Sequence, residues 1–102
     1  MQRYNINIKV NQYNTKVESL QEAKQKYNQL ADEYRQLIEK YNEEMMRTAE
    51  IRYRGGNIRE QERRTEELER KSEGKQRELQ EQKSRMQDLE NELFALIEEI
   101  RR

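Results

Sequence analysis

The stretch Tyr53-Arg54-Gly55-Gly56-Asn57-Ile58-Arg59-Glu60 decides how this chain folds. Two adjacent glycines cost about 2 kcal/mol in a helix interior relative to alanine, and glycine is the residue that most readily closes a helix. Asn57 is a favoured N-cap, and Glu60 stands three residues on, where its carboxylate can reach back to the cap's own N–H. A stop followed directly by a start predicts a helix over about 15–53, a turn over 54–57 and a second helix over about 58–100. The resulting fold class is all-α: an antiparallel two-helix coiled-coil hairpin spanning residues 13–102. The alternative is one long continuous helix in a multi-chain bundle, whose partners would offset the cost of the glycines.

Working back from the turn, the first helix carries a heptad stripe. With Val17 at position a, that position holds Val17, Lys24, Ala31, Ile38 and Met45, and position d holds Leu20, Tyr27, Tyr34, Tyr41 and Thr48, with Leu30 and Leu37 widening the stripe at g. Thr15-Lys16-Val17-Glu18 has the form of a capping box, so the helix is expected to begin there. Before it, Tyr4, Ile6, Ile8 and Val10 alternate with polar residues in the period of two of a half-buried strand. Residues 1–12 are therefore expected to form an extended arm able to pair as a strand, with a frayed helix start as the competing outcome.

Forward from the turn, position a holds Ile58, Thr65, Ser72, Leu79, Met86, Leu93 and Ile100, and position d holds Gln61, Leu68, Lys75, Gln82, Leu89 and Leu96. Only Ile58 and Leu68 are strongly apolar between residues 57 and 78, and Gly74 further lowers helix propensity there. Antiparallel pairing sets this lean stretch level with Tyr34, Ile38 and Tyr41, and the Leu-rich end near Leu93 level with Val17 and Leu20, so large side chains meet small ones. Charge agrees, because residues 1–17 carry Arg3, Lys9 and Lys16 without an acid, while residues 87–100 carry Asp88, Glu90, Glu92, Glu98 and Glu99 without a base.

Composition bounds the rest. Of 102 residues 31% are hydrophobic and 41% charged, too lean for a compact core of that length. Lysine plus arginine and aspartate plus glutamate number 21 each, and this zero net charge disfavours a general nucleic-acid binder. No apolar run approaches the roughly 18 to 20 residues that span a bilayer. The localisation is left open, with soluble, intracellular or virion as the default reading.

Without His or Cys, the chain lacks a neutral-pH base, a thiol nucleophile and thiolate zinc ligands. Nor does it contain a phosphate-cradling glycine loop, an EF-hand spacing or the Glu-x-x-His of di-iron bundles. Paired carboxylates such as Glu66-Glu67 sit on helices with no concavity to desolvate them. The expectation is a non-enzyme with no catalytic residues, no metal and no cofactor.

Three surfaces could bind partners. Leu93, Phe94, Leu96 and Ile97 belong to a run that is apolar on consecutive positions, so Phe94 at b and Ile97 at e cannot share the seam of Leu93 and Leu96. With Ile6 and Ile8 nearby in the hairpin, this end reads as a docking platform. A ridge of Leu30, Tyr34 and Leu37 could receive an amphipathic helix. At the turn Arg52, Arg54, Arg59, Arg63 and Arg64 make a basic tip able to meet phosphate or an acidic partner. The leading functional expectation is a structural or adaptor coiled-coil subunit of a larger protein assembly, such as a filament, virion, secretion or cytoskeletal complex. It would act through helix–helix contacts as a homo-oligomer or a hetero-complex. The alternative is a small helical chaperone or regulatory protein using the ridge, and a less favoured one is a nucleic-acid contact at the tip.

Overall fold

A computed structural model describes residues 2–102, leaving out the side chains of Gln2 and Tyr4; of the expected arm, Met1 lies outside the described residues. Two helices account for nearly all of it: α1, Gln2–Tyr53, and α2, Arg59–Arg101. They pack against each other as the all-α hairpin expected from the glycine pair, and not as one continuous helix.

Backbone hydrogen bonds end α1 at the turn. Gly55 adopts φ +76°, and its N–H donates to the carbonyl of Arg52 at 3.0 Å while the Gly56 N–H donates to that of Ile51 at 2.9 Å. This is the Schellman pattern, in which a left-handed residue folds the last two N–H groups back onto orphan carbonyls. Gly56 is constrained as well, since a Cβ there would lie 2.9 Å from Ile51 Cγ2. The start of α2 is capped by Asn57, whose Oδ1 accepts from the Arg59 N–H at 3.0 Å. Glu60 does not complete the box; its carboxylate pairs with Arg64 one turn on, at 3.4 Å. Glu60 and Glu62 still place negative charge in the first turn, where the helix dipole favours it.

The extended arm is corrected by the structure, because α1 begins at Gln2 and, among the described residues, there is no strand. Two of the residues that alternate in twos, Ile6 at d and Val10 at a, also continue the heptad backwards, joined by Tyr13 at d, while Tyr4 and Ile8 fall at b and f. An isolated strand has no partner edge, whereas a longer α1 has α2 beside it, so the helical period prevails. The Thr15 box is corrected with it: Thr15 lies inside α1 and its hydroxyl donates to the Asn11 carbonyl one turn back, at 3.0 Å.

A second correction concerns which stripe of α1 forms the seam. Its deeply buried side chains are Ala23 and Leu30 at g and Thr48 at d, with Ala23 only 3% exposed. Position a is the flank: Lys24 is exposed, Val10 and Met45 are 37% and 45% exposed, and Val17, Ala31 and Ile38 are half-buried. The contact is thus centred between d and g, a rotation of about 50° from an a/d seam. On α2 the a/d frame holds, since Gln61, Thr65, Ser72, Gln82, Leu89, Leu93 and Leu96 are all buried.

The helices divide into two compact units, each taking a piece of both. In the unit formed by Met1–Asn28 and Gln80–Arg102, Leu89, Leu93 and Leu96 are buried with Ala23. Each leucine contributes at most about 2 kcal/mol of apolar burial. Gln82 Nε2 donates to the Ala23 carbonyl at 3.1 Å. The charge blocks meet as expected: Lys16 lies 2.6 Å from Glu92 and Lys9 lies 3.8 Å from Glu99, one heptad back along α1 and one forward along α2. That opposed stepping is the antiparallel register.

The unit Gln29–Leu79 contains the turn and is sparing in apolar residues: Leu30 is buried, and so, elsewhere along its seam, are the polar Thr48, Gln61, Thr65 and Ser72. The three hydroxyls donate to carbonyls of their own helices, Glu44, Glu62 and Leu68, each at 2.8 Å. Gln61 Nε2 reaches across instead, donating to the Glu44 carbonyl at 3.1 Å and to the Glu44 carboxylate. Among the described residues, buried side-chain polar atoms all have hydrogen-bond partners.

Candidate partner-binding surfaces

At the C-terminal end of α2 the structure separates residues that are contiguous in sequence. Leu93 and Leu96 are buried in the seam, Ile97 is half-buried at its edge, and Phe94 is 69% exposed. On α1 of the same unit Ile6 and Ile8 are exposed. Ile8, at position f, lines a shallow groove on α1 with Asn11, Gln12, Thr15 and Lys16. The structure thus leaves Phe94 and Ile97 at the surface of α2 and Ile6 and Ile8 exposed on α1, with Ile8 in a groove lined by α1 alone, and it does not bring the four into one platform.

The ridge is more enclosed than a docking surface requires. Leu30 is 7% exposed, and Tyr34 and Leu37 are half-buried. Tyr34, Ile38 and Tyr41 line one groove with Ser72, Glu69, Glu73 and Gln76, so rings on α1 do stand opposite a small residue on α2. Beside them, the Lys75 ammonium is hydrogen-bonded to the Glu33 carboxylate. That bond, reinforced by charge attraction, holds Glu33 below the ordinary carboxylate range and Lys75 above the ordinary amine range.

All five arginines of the tip are exposed, but not all are free. Arg52 pairs with Glu62 at 3.3 Å and Arg64 with Glu60 at 3.4 Å. Arg54, Arg59 and Arg63 have no carboxylate within 4.0 Å among the described residues, and Tyr53 beside them is 94% exposed. Phosphate-like groups could be contacted here, without a concavity to enclose them.

No group of three or more carboxylates gathers at one point among the described residues, and among these residues no helix is long and apolar enough to cross a membrane. Sequence reasoning missed the cross-helix roles of Ala23, Gln61 and Gln82, which look like ordinary heptad entries, and it missed the exposed flank at position a of α1. A signal for the flank was present: α1 bears apolar residues at a, d and g, wider than one partner helix covers. Comparison of the chain with protein-family models, with curated proteins and with solved structures gives no match.

Proposed function

We propose that this chain is a structural or adaptor coiled-coil subunit of a larger protein assembly, a non-catalytic role exercised through helix–helix contacts. The observation that supports it is Phe94, a large aromatic side chain 69% exposed beside the half-buried Ile97 in a chain with little apolar surface to spare. An exposed aromatic beside a half-buried aliphatic is the kind of anchor on which partner contacts concentrate, and it supports this reading. Capture of a helix on the ridge has less support, because Leu30 is already committed to the hairpin. A nucleic-acid contact at the tip has less still, given zero net charge and two of five arginines paired.

The test is the native size of the protein in extracts of its own cells, read by gel filtration for the wild type and for Phe94→Glu. A large species for the wild type, collapsing toward the free chain in the variant, is the expected result. A wild-type chain that elutes as a free monomer would refute the role.

A further inference from the structure

We infer that one flank of the unit formed by Met1–Asn28 and Gln80–Arg102 takes an amphipathic helix of a partner protein whose polar edges carry carboxylates. This deepens the adaptor role proposed above and rests on it.

The flank is identified by geometry. The ion pairs Lys16–Glu92 and Lys9–Glu99 join position g of α1 to position g of α2, on one side of the seam. Ser19 and Lys26 at position c of α1 share a groove with Gln82 and Arg85 on that same side. Positions a and e of α1, with b and e of α2, therefore share the other side. There stand Val10, 37% exposed, half-buried Val17 and Ile97, and Phe94, the most exposed of the four. Val10 and Val17 are one heptad apart on α1, the spacing a third helix needs to follow it, and α2 adds Phe94 and Ile97, three residues apart.

Charge then selects the occupant. In a chain whose acids and bases balance, this flank holds one carboxylate, Glu90, against four exposed cations, Arg3, Lys24, Lys83 and Arg101. Its remaining positions are amides, Asn7, Asn14 and Gln21 among them. The missing acids lie on the opposite flank, where Glu81, Asp88, Glu92 and Glu99 occupy positions c and g of α2. Arg3 and Lys24 continue position a beyond Val10 and Val17, and Lys83 and Arg101 share positions e and b with Ile97 and Phe94, so the apolar strip ends in cations and complements an amphipathic helix bearing carboxylates. A second copy of this chain fits poorly, because joining two such flanks sets cations against cations.

The probe is a labelled synthetic peptide of three heptads with Leu at a and d and Glu at e and g. Its control carries Lys at e and g. Fluorescence anisotropy with the full chain should show the Glu peptide binding at least about tenfold more tightly than the Lys peptide, and weakening as salt rises. Phe94→Glu should reduce binding at least about tenfold with the circular dichroism of the chain unchanged, and Lys83→Glu, which leaves the apolar strip intact, should narrow the preference between peptides.

Equal affinity for the two peptides overturns the inference. So does a chain that binds neither peptide and sediments as a dimer that Phe94→Glu dissociates, or one that binds anionic phosphatidylserine vesicles and not the Glu peptide. A large native species that depends on Phe94, together with indifference to peptide charge, would sink this inference and leave the adaptor role standing.

Discussion

Lys16 Nζ lies 2.6 Å from Glu92 Oε2, joining residues 76 apart in sequence across the two helices. Both side chains are partly exposed, so the pair contributes up to about 1 kcal/mol. Lys16→Glu should lower the urea midpoint, and adding Glu92→Lys should restore most of the loss, with the difference shrinking in high salt. If the double reversal is no more stable than the single one, the two residues do not face each other in solution.

The three glycines should respond in opposite directions. Gly55→Ala forces a left-handed conformation on an L side chain and is expected to cost about 1 to 2 kcal/mol. Gly74 sits inside α2 with nothing within 4 Å of where its Cβ would be, so Gly74→Ala should gain about 0.5 to 1 kcal/mol. Gly56→Ala must displace Ile51 Cγ2 and is expected to destabilise as well. Chemical denaturation followed by circular dichroism measures all three, and a stabilising Gly55→Ala would contradict the turn geometry.

Glu33 and Lys75 give the fold a pH dependence at both extremes. Glu33 is held below 4.5 chiefly by its hydrogen bond to Lys75, so its contribution is complete above that value and is lost as pH falls through the lowered pKa. Lys75 is held above 10.5 chiefly by the same bond, so its contribution is complete below that value and is lost as pH rises through the elevated pKa. In Lys75→Gln, the Glu33 titration followed by NMR should move up toward 4.5. An unmoved titration would show that the pair is not formed.

Leu93 and Phe94 are neighbours with opposite duties. Leu93→Ala should cost about 2 kcal/mol or more by opening the seam, whereas Phe94→Ala should change stability by less than about 0.5 kcal/mol. Thermal melts of the two variants distinguish them, and equal losses would mean that Phe94 is packed within the hairpin.

Much of this was legible in the sequence, because the signals were local. Gly55-Gly56-Asn57 carries its stop-and-start chemistry within a few residues, and the Leu89, Leu93, Leu96 stripe is unambiguous. The start of α1 was not legible, since Ile6 and Val10 satisfy a period of two and a heptad equally well, and only the presence of α2 alongside decides between them. The rotation of α1 was hidden for a related reason: with apolar residues at a, d and g, the sequence offers two seams, and Ala23, whose small side chain lets Gln82 approach its carbonyl, marks the chosen one. At the candidate surfaces, the exposure of Phe94 followed from its heptad position, while the burial of Leu30 followed from the rotation.

The hydroxyls of Thr48, Thr65 and Ser72 are bonded to their own helices, so each would travel with its helix if one slid along the other and would lose nothing by the motion. The amides of Gln61 and Gln82 are anchored to the opposite helix and would be stranded by it. Among the buried polar side chains, resistance to sliding thus comes from two glutamines, one in each compact unit, which act as detents beside the buried leucines and the ion pairs between the helices.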